Sequence, residues 1–499
     1  MLNRRRLLTA GGLALGGVVG GTLLLPQNGT TRAAANTSLG AHGHMAHGMA
    51  YGTAHGTAPG RPSPPVAPFR VRMPVPRVLT PVASHRDVDV YQQDIQPASV
   101  EMLPGIRTEV LGYGGGFVGP TIRARSGRRV VVRYRNGLDR AVNTHLHGGH
   151  VAASNDGYPM DLIEPGRSRY YEYPNNQPGA TLWYHDHTHH REAEHVYRGM
   201  HGFYLLEGED ERRLRLPSKE YDVPIMLTDA HFNENGALIY APEDTPNRNT
   251  LLANGRPQPY FPVAARRYRF RLLNVSNFRT FHLRLDGMTM TQIGSDGGLL
   301  PAPVNRDEVV LSPGERAEVV VDFAGCPIGG KVVLNDVSGP VLRFDVVTGA
   351  ADDSRVPDVL RPLPALPSLP AGRTDREITL KVDMVRGAAY INGKVFDPDR
   401  VDARVRRGST EVWRITNLDT DIALDHNLHL HLVQFRILDR DGAPPLPGES
   451  GLKDTVLVPA GTSVRIQVTF GDFLGRYLYH CHMLEHSVGG MMAQMEIVA

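Results

Sequence analysis

Along most of the chain, apolar and polar residues alternate in short runs broken by Gly, Pro and Asn. That is the pattern of half-buried strands joined by turns, not of helices. Three stretches repeat one order of signals. They run from Arg125 to Asn136, from Arg266 to Asn274 (the most eroded copy) and from Arg406 to Asn417, and each is an alternating strand closing on an Asn turn. Roughly thirty or more residues later each copy shows a Pro/Gly turn and another alternating strand. These turns are Glu164-Pro165-Gly166, Ser312-Pro313-Gly314 and Pro459-Ala460-Gly461. A further strand ends each copy, at Gly202–Glu207, Val341–Val347 and Met492–Val498. A unit repeated in this way predicts an all-β protein of three β-sandwich domains, over 68–210, 215–350 and 376–499. Pro357, Pro362, Pro364, Pro367 and Pro370 make 351–375 a stiff connector.

Length agrees, since 499 residues exceed what one core holds. Charge adds an exclusion: 54 basic against 52 acidic residues imply no nucleic-acid or membrane-surface partner. The N-terminus changes the setting. Asn3-Arg4-Arg5-Arg6-Leu7-Leu8 resembles a twin-arginine signal, a Gly-rich apolar run follows, and Ala33-Ala34-Ala35 offers a cleavage site. Residues 1–35 are thus expected to direct export through the twin-arginine machinery to the periplasm, cell envelope or exterior. No stable membrane association is expected after cleavage. Residues 36–67 form a low-complexity tail containing His42, His44, Met45, His47, Met49 and His55, expected to be disordered. It reads equally as a copper-collecting segment or as a spacer. Of the two cysteines, Cys326 is expected to be a small buried residue, and Cys481 a metal ligand, so no disulfide is expected.

The chemistry concentrates in Tyr479-His480-Cys481-His482-Met483-Leu484-Glu485-His486, followed by Met491. On a strand His480 and His482 face one way and Cys481 the other. Cys, a His five residues on and a Met five beyond that form the ligand set of an electron-transfer copper centre. The flanking histidines would bind different metals. Alone, an HCH triplet also suits zinc or plain packing. Three further HxH pairs weaken that reading: His145/His147 and His185/His187 in the first unit, His429/His431 in the third beside His426. The middle unit keeps only His282, which marks it as a spacer without metal. His150, His189, His190, His195 and His201 are expected to support or surround the ligands.

With THLHGG, WYHDH, HNLHLHL and HCHMLEHSVGGM in place, nearly the whole mature chain resembles a three-domain multicopper oxidase of the spore-coat laccase and bilirubin oxidase branch. The resemblance implies three cupredoxin-like Greek-key sandwiches and four copper ions. It assigns His426, Cys481, His486 and Met491 to the type 1 copper, with Met492 as the alternative axial residue. It assigns His145 and His429 to the type 2 copper. His147, His185, His187, His431, His480 and His482 go to the type 3 pair. It implies electron transfer from a small reducing substrate, through Cys481, to dioxygen, which becomes water. Asp156 matches the family's proton-delivering acid, although Asn155-Asp156-Gly157 is also an ordinary turn. Related enzymes usually carry an acid after the histidine at 486, where this chain has Ser487. Slower turnover or a shifted pH optimum is therefore expected, and unchanged oxygen reduction in Ser487→Glu at every pH would dismiss it.

The resemblance points to phenols, aromatic amines or tetrapyrrole-like donors. A cuprous-ion oxidase is the alternative, supported only by the His/Met tail. A scaffold protein of the same fold would lack the ligands present here. Asp425, next to His426, is either a donor contact or a turn residue.

Overall fold

The computed structural model describes residues 63–370 and 372–499. Residues 1–62, which include the expected export signal and most of the tail, lie outside the described residues. The tail's last part, 63–67, is docked: Val66 packs beside Met102 and Phe232, and the Ser63 hydroxyl accepts the Phe232 N–H at 3.1 Å.

Six sheets pair into three sandwiches, and the pairing repeats. In the first, Arg129–Asn136 lies between a parallel partner, Val88–Glu101, and an antiparallel one, Ser168–Tyr173. In the second, Arg267–Asn274 lies between parallel Asp222–Ala230 and antiparallel Arg316–Asp322. In the third, Thr410–Asn417 lies between parallel Arg376–Asp383 and antiparallel Ser463–Thr469. Each sandwich encloses its own apolar core, centred on residues such as Tyr134, Phe270 and Trp413.

The Asn that ends each repeated strand does the same thing three times. Asn136 Nδ2 donates to the carbonyls of Arg140 and Ile163, while its Oδ1 accepts the Leu138 N–H. Asn274 does so with Arg279, Leu311 and Ser276, and Asn417 with Leu424, Val458 and Asp419. Each backbone N–H of these three residues donates to the residue after the Gly of the later turn: Arg167, Glu315 and Thr462. A buried amide with all its groups used pins strand end, loop and turn together. The short polar signal seen in the sequence is thus the corner-piece of each sandwich.

The stretch after Gly349 has no regular structure in its described residues and lies tied to its surroundings. Leu360 packs with Leu216 and Ile293, and Arg361 pairs with Asp210 at 2.6 Å. No helix among the described residues is long and apolar enough to cross a membrane. The short helices Glu192–Tyr197 and Leu484–Val488 pack on each other through Ala193, Val196 and Leu484. Cys326 is half-buried rather than buried, because it sits at the sandwich margin with Sγ 3.8 Å from Met288 Sδ.

Candidate metal centres

Strand pairing sets the histidines. His145–His147 runs antiparallel to Ala180–His185, which puts His145 opposite His185. In the third sandwich, His426–Leu430 places His429 opposite His480. The two sheets bring their imidazoles edge to edge: His145 stacks on His431 (3.9 Å between ring centres) and His147 on His429 (3.7 Å). His187 Nε2 and His431 Nε2 both face His480 Nε2, at 3.2 and 3.3 Å. His482 lies against His147 and His185. Three all-histidine groups have ligand atoms within 4.8 Å of one another, His145/His147/His185, His145/His429/His431 and His187/His431/His480, and His147/His429 form one more with Asp454. The remaining group is His426/Cys481/His486, on the far side of the tripeptide. There Cys481 Sγ is 3.9 Å from His426 Nδ1 and 3.7 Å from His486 Nδ1. Met491 shares the apolar cluster of Cys481 and Met483, whereas Met492 packs elsewhere, with Phe396 and Leu478.

Most of these rings have one nitrogen tied outward. Backbone carbonyls hold Nδ1 of His145 (Asp156, 2.5 Å), His185 (Asp186, 2.8 Å), His429 (Asp454, 2.9 Å) and His480 (Cys481, 3.0 Å). Carboxylates hold His431 Nδ1 (Asp156, 2.8 Å), His147 Nε2 (Asp454, 3.0 Å) and His426 Nε2 (Asp419, 2.7 Å). The other nitrogen is often left without a partner although buried: His145 Nε2, His147 Nδ1, His185 Nε2, His429 Nε2, both nitrogens of His482, and His486 Nε2. Each orphaned buried group costs about 1–3 kcal/mol, so several together mark a place built for a ligand. Imidazoles with one thiolate and a thioether suit copper, and these residues fit it.

Three family models, each described as multicopper oxidase, match residues 94–211, 221–329 and 366–499. The chain is 35% identical over 511 residues to the laccase of Bacillus subtilis (strain 168), covering 85% of this chain and 97% of that protein. The chain belongs to the multicopper oxidase family. The bilirubin oxidase of Albifimbria verrucaria is 33% identical, over 86% of this chain and 81% of its own. The crystal structure of the multi-copper oxidase from Pediococcus acidilactici superposes with a TM-score of 0.82 at 30% identity, over 90% and 95% of the two chains. This multicopper oxidase is thus a copper-binding oxidoreductase that uses dioxygen and a reducing substrate, built from cupredoxin-like sandwiches.

Electrostatics prepare its rings for a cation. Burial holds His145, His147, His185, His429, His431, His482 and His486 well below the ordinary imidazole range, and His480 at about 4. They are neutral near pH 7, as ligands must be. His187 and His426 run the other way: burial lowers both, but Glu192 beside the first and Asp419 and Cys481 beside the second outweigh it, taking His426 to about 9. Asp156 is raised by burial, against the pull of His187, to about 8. The chain approaches the first strand so closely here that Gly157, at φ +79°, would put a Cβ 2.3 Å from the Thr144 carbonyl oxygen.

The middle sandwich is more than a spacer. Its turn Ser312-Pro313-Gly314 accepts both N–H groups of Asn427, whose Oδ1 in turn accepts the His482 N–H at 2.6 Å. Fully buried Arg316 clamps Asp454 through two bonds of 2.6 Å and donates to the Thr181 carbonyl in the first sandwich. Arg248 pairs with Glu485 at 2.7 Å, and Phe278 packs edge-on against His486, 5.2 Å away. Sequence reasoning missed these residues, together with Asp419, Asp454 and Glu192, because Arg316, Arg248, Phe278 and Asp454 meet their partners from distant parts of the chain, while Asp419 and Glu192, though only seven and five residues from His426 and His187, belong to no recognisable ligand spacing. Asp425 accepts the Ala460 N–H at 3.0 Å and so serves a turn. Of the other histidines, His195 holds Asp186 (2.9 Å), His150 contacts Asp472 (2.7 Å), His201 packs on Phe117, and His189 and His190 stack together.

Proposed function

We propose that this protein is a laccase-like oxidase of phenolic and aromatic amine donors. The observation that carries the reading is one tripeptide, His480-Cys481-His482, whose thiol belongs to one convergent ligand group while His480 belongs to another and His482 packs against its neighbours His147 and His185. In this reading His426, Cys481, His486 and Met491 hold a type 1 copper, and His145 and His429 a type 2 copper. His147, His185, His187, His431, His480 and His482 hold a type 3 pair, making four coppers. The metals supply one-electron acceptance from the donor and four-electron reduction of dioxygen to water.

The chain's own groups do the rest. Covalent bonds through Cys481 join the two sites without a gap. Asp156, buried with Oδ2 2.8 Å from His431 Nδ1, holds a proton at the edge of the histidine group. Half-buried Phe278 covers the edge of His486, which is itself fully buried, and offers a donor an aromatic contact beside that imidazole. That cover supports aromatic donors. Cuprous-ion oxidation draws its support from the tail at 36–67, and Met483, Met491, Met492 and Met495 are all buried beyond reach of an incoming ion. Export by the twin-arginine route belongs to the same reading, and N-terminal sequencing of secreted protein tests it.

Oxygen uptake by the copper-loaded protein, offered separately a bulky phenol and Cu(I), decides among donors. Fast uptake with the phenol and no peroxide is expected. Uptake mainly with Cu(I) would transfer the assignment to metal-ion oxidation.

A further inference from the structure

Glu192 opens the short helix Glu192–Tyr197 and is buried to 1% exposure. Among the described residues no arginine or lysine pairs with it, and neither oxygen has a well-aligned hydrogen bond. Such a carboxylate is costly unless something compensates it. Its one close polar neighbour is His187, whose Nδ1 lies 2.6 Å from Oε2. Two lone pairs cannot approach so closely, so a proton lies between them, and this contact holds the ring with Nε2 on its far side. Nε2 is the atom that faces His480.

The same arrangement recurs on the adjoining ring. His431 has Asp156 at Nδ1 (2.8 Å) and presents Nε2 to the same His480 nitrogen (3.3 Å). Two acidic side chains from different segments of the first sandwich thus face the Nδ1 atoms of two imidazoles whose Nε2 atoms converge. From the third sandwich, buried Ser487, one residue after His486, lies on Leu484–Val488, the short helix that packs against Glu192–Tyr197. Asn277 stitches that packing by donating to the Ala193 carbonyl, while its own carbonyl accepts the Leu484 N–H.

We propose that Glu192 is the positioning residue that turns His187 Nε2 into the histidine group, occupying from the first sandwich the place that a side chain at 487 would otherwise fill from the third. This inference rests on the three-copper reading of that group.

Copper retention against a chelator and electron paramagnetic resonance test it on the copper-loaded protein. The wild type should hold a coupled, resonance-silent pair beside its visible coppers. Glu192→Leu keeps the bulk and removes the acceptor. It should keep the blue colour, lose copper from the pair about 10–100-fold more readily, and turn remaining silent copper visible. Glu192→Gln still offers a carbonyl to Nδ1 and should retain most of the pair. Glu192→Leu with Ser487→Glu returns a carboxylate from the other side and should restore it. Wild-type retention in Glu192→Leu, or a loss in Glu192→Gln as large as in Glu192→Leu, would overturn the proposal. If the single leucine variant does not fold, the double variant decides: folded and blue without a silent pair also overturns it. A wild type with no silent pair would fail earlier, taking the three-copper reading with it.

Discussion

At the scale of single residues, the candidate ligands were legible and their supports were not. An HxH pair announces itself because strand geometry puts both rings on one face, and four pairs repeat the message. Asp419 and Asp454 carry no such local mark: each becomes meaningful only when folding lays it against a ring, seven residues away for Asp419 and in another sandwich for Asp454. Asp156 stands between, since its neighbourhood reads as a turn but its burial does not suit one. Raised to about 8 by burial, it carries a proton at neutral pH and releases it above that value. Asp156→Asn keeps the size and removes the exchangeable acid. Steady-state oxygen uptake should fall by about 100-fold or more, with copper content and the blue band retained. A variant that turns over like the wild type would remove Asp156 from proton delivery.

Elements tell a different story, because here alternation and turns were enough to recover the repeated unit. What alternation could not show is how each copy locks, or that the turn of the middle copy is used twice. Gly314 closes its own sandwich and also presses on the histidine group, where a Cβ would lie 3.1 Å from both His147 Cε1 and His482 Cγ. Its φ of +85° is unfavourable for any other residue. Gly314→Ala should cost about 1–2 kcal/mol in backbone strain alone. Because the neighbours are ligand candidates, it should also disturb bound copper, visible as altered resonance parameters. Gly166 and Gly461 hold equivalent turns with no ring against them. Alanine at those sites should destabilise the fold, measured by chemical denaturation, and leave the copper spectrum alone. Truncating the corner amide, as in Asn417→Ala, should cost about 1–3 kcal/mol for each buried group left unpaired.

Over the whole molecule, the buried imidazoles couple stability to pH. Eight of them (His145, His147, His185, His429, His431, His480, His482 and His486) titrate below their ordinary 6.5 in the folded chain. Between those values and 6.5 the unfolded chain binds more protons, so the stability they contribute is present above 6.5 and is lost as pH falls through the folded values. His187 and His426 oppose them, each losing its contribution as pH rises from 6.5 through its raised folded value (about 9 for His426), and Asp156 loses its own from 3.8 through about 8. Eight outweigh three on the acid side. Copper-free protein should therefore melt at progressively lower temperature from pH 7 to pH 5 by calorimetry. Copper-loaded protein should resist over that range, because metal occupies the nitrogens that protons would take. Equal pH dependence in the two forms would mean that the rings stay unprotonated for some other reason.

The division of the histidine group between the first and third sandwiches also sets a clock. A ribosome adds about 5–20 residues per second, so some tens of seconds pass between the emergence of His145 and that of His486. Throughout that interval the nascent chain owns half a receptacle, and neighbouring imidazoles such as those of His145 and His431 have not yet met. Metal taken up early would be held by one sandwich only, at a pair of rings any divalent ion could use. The complete group exists only once the last strand, Met492–Val498, has closed its sheet. Selectivity for the metal is therefore a property of the finished chain, and the supply of copper matters after synthesis rather than during it.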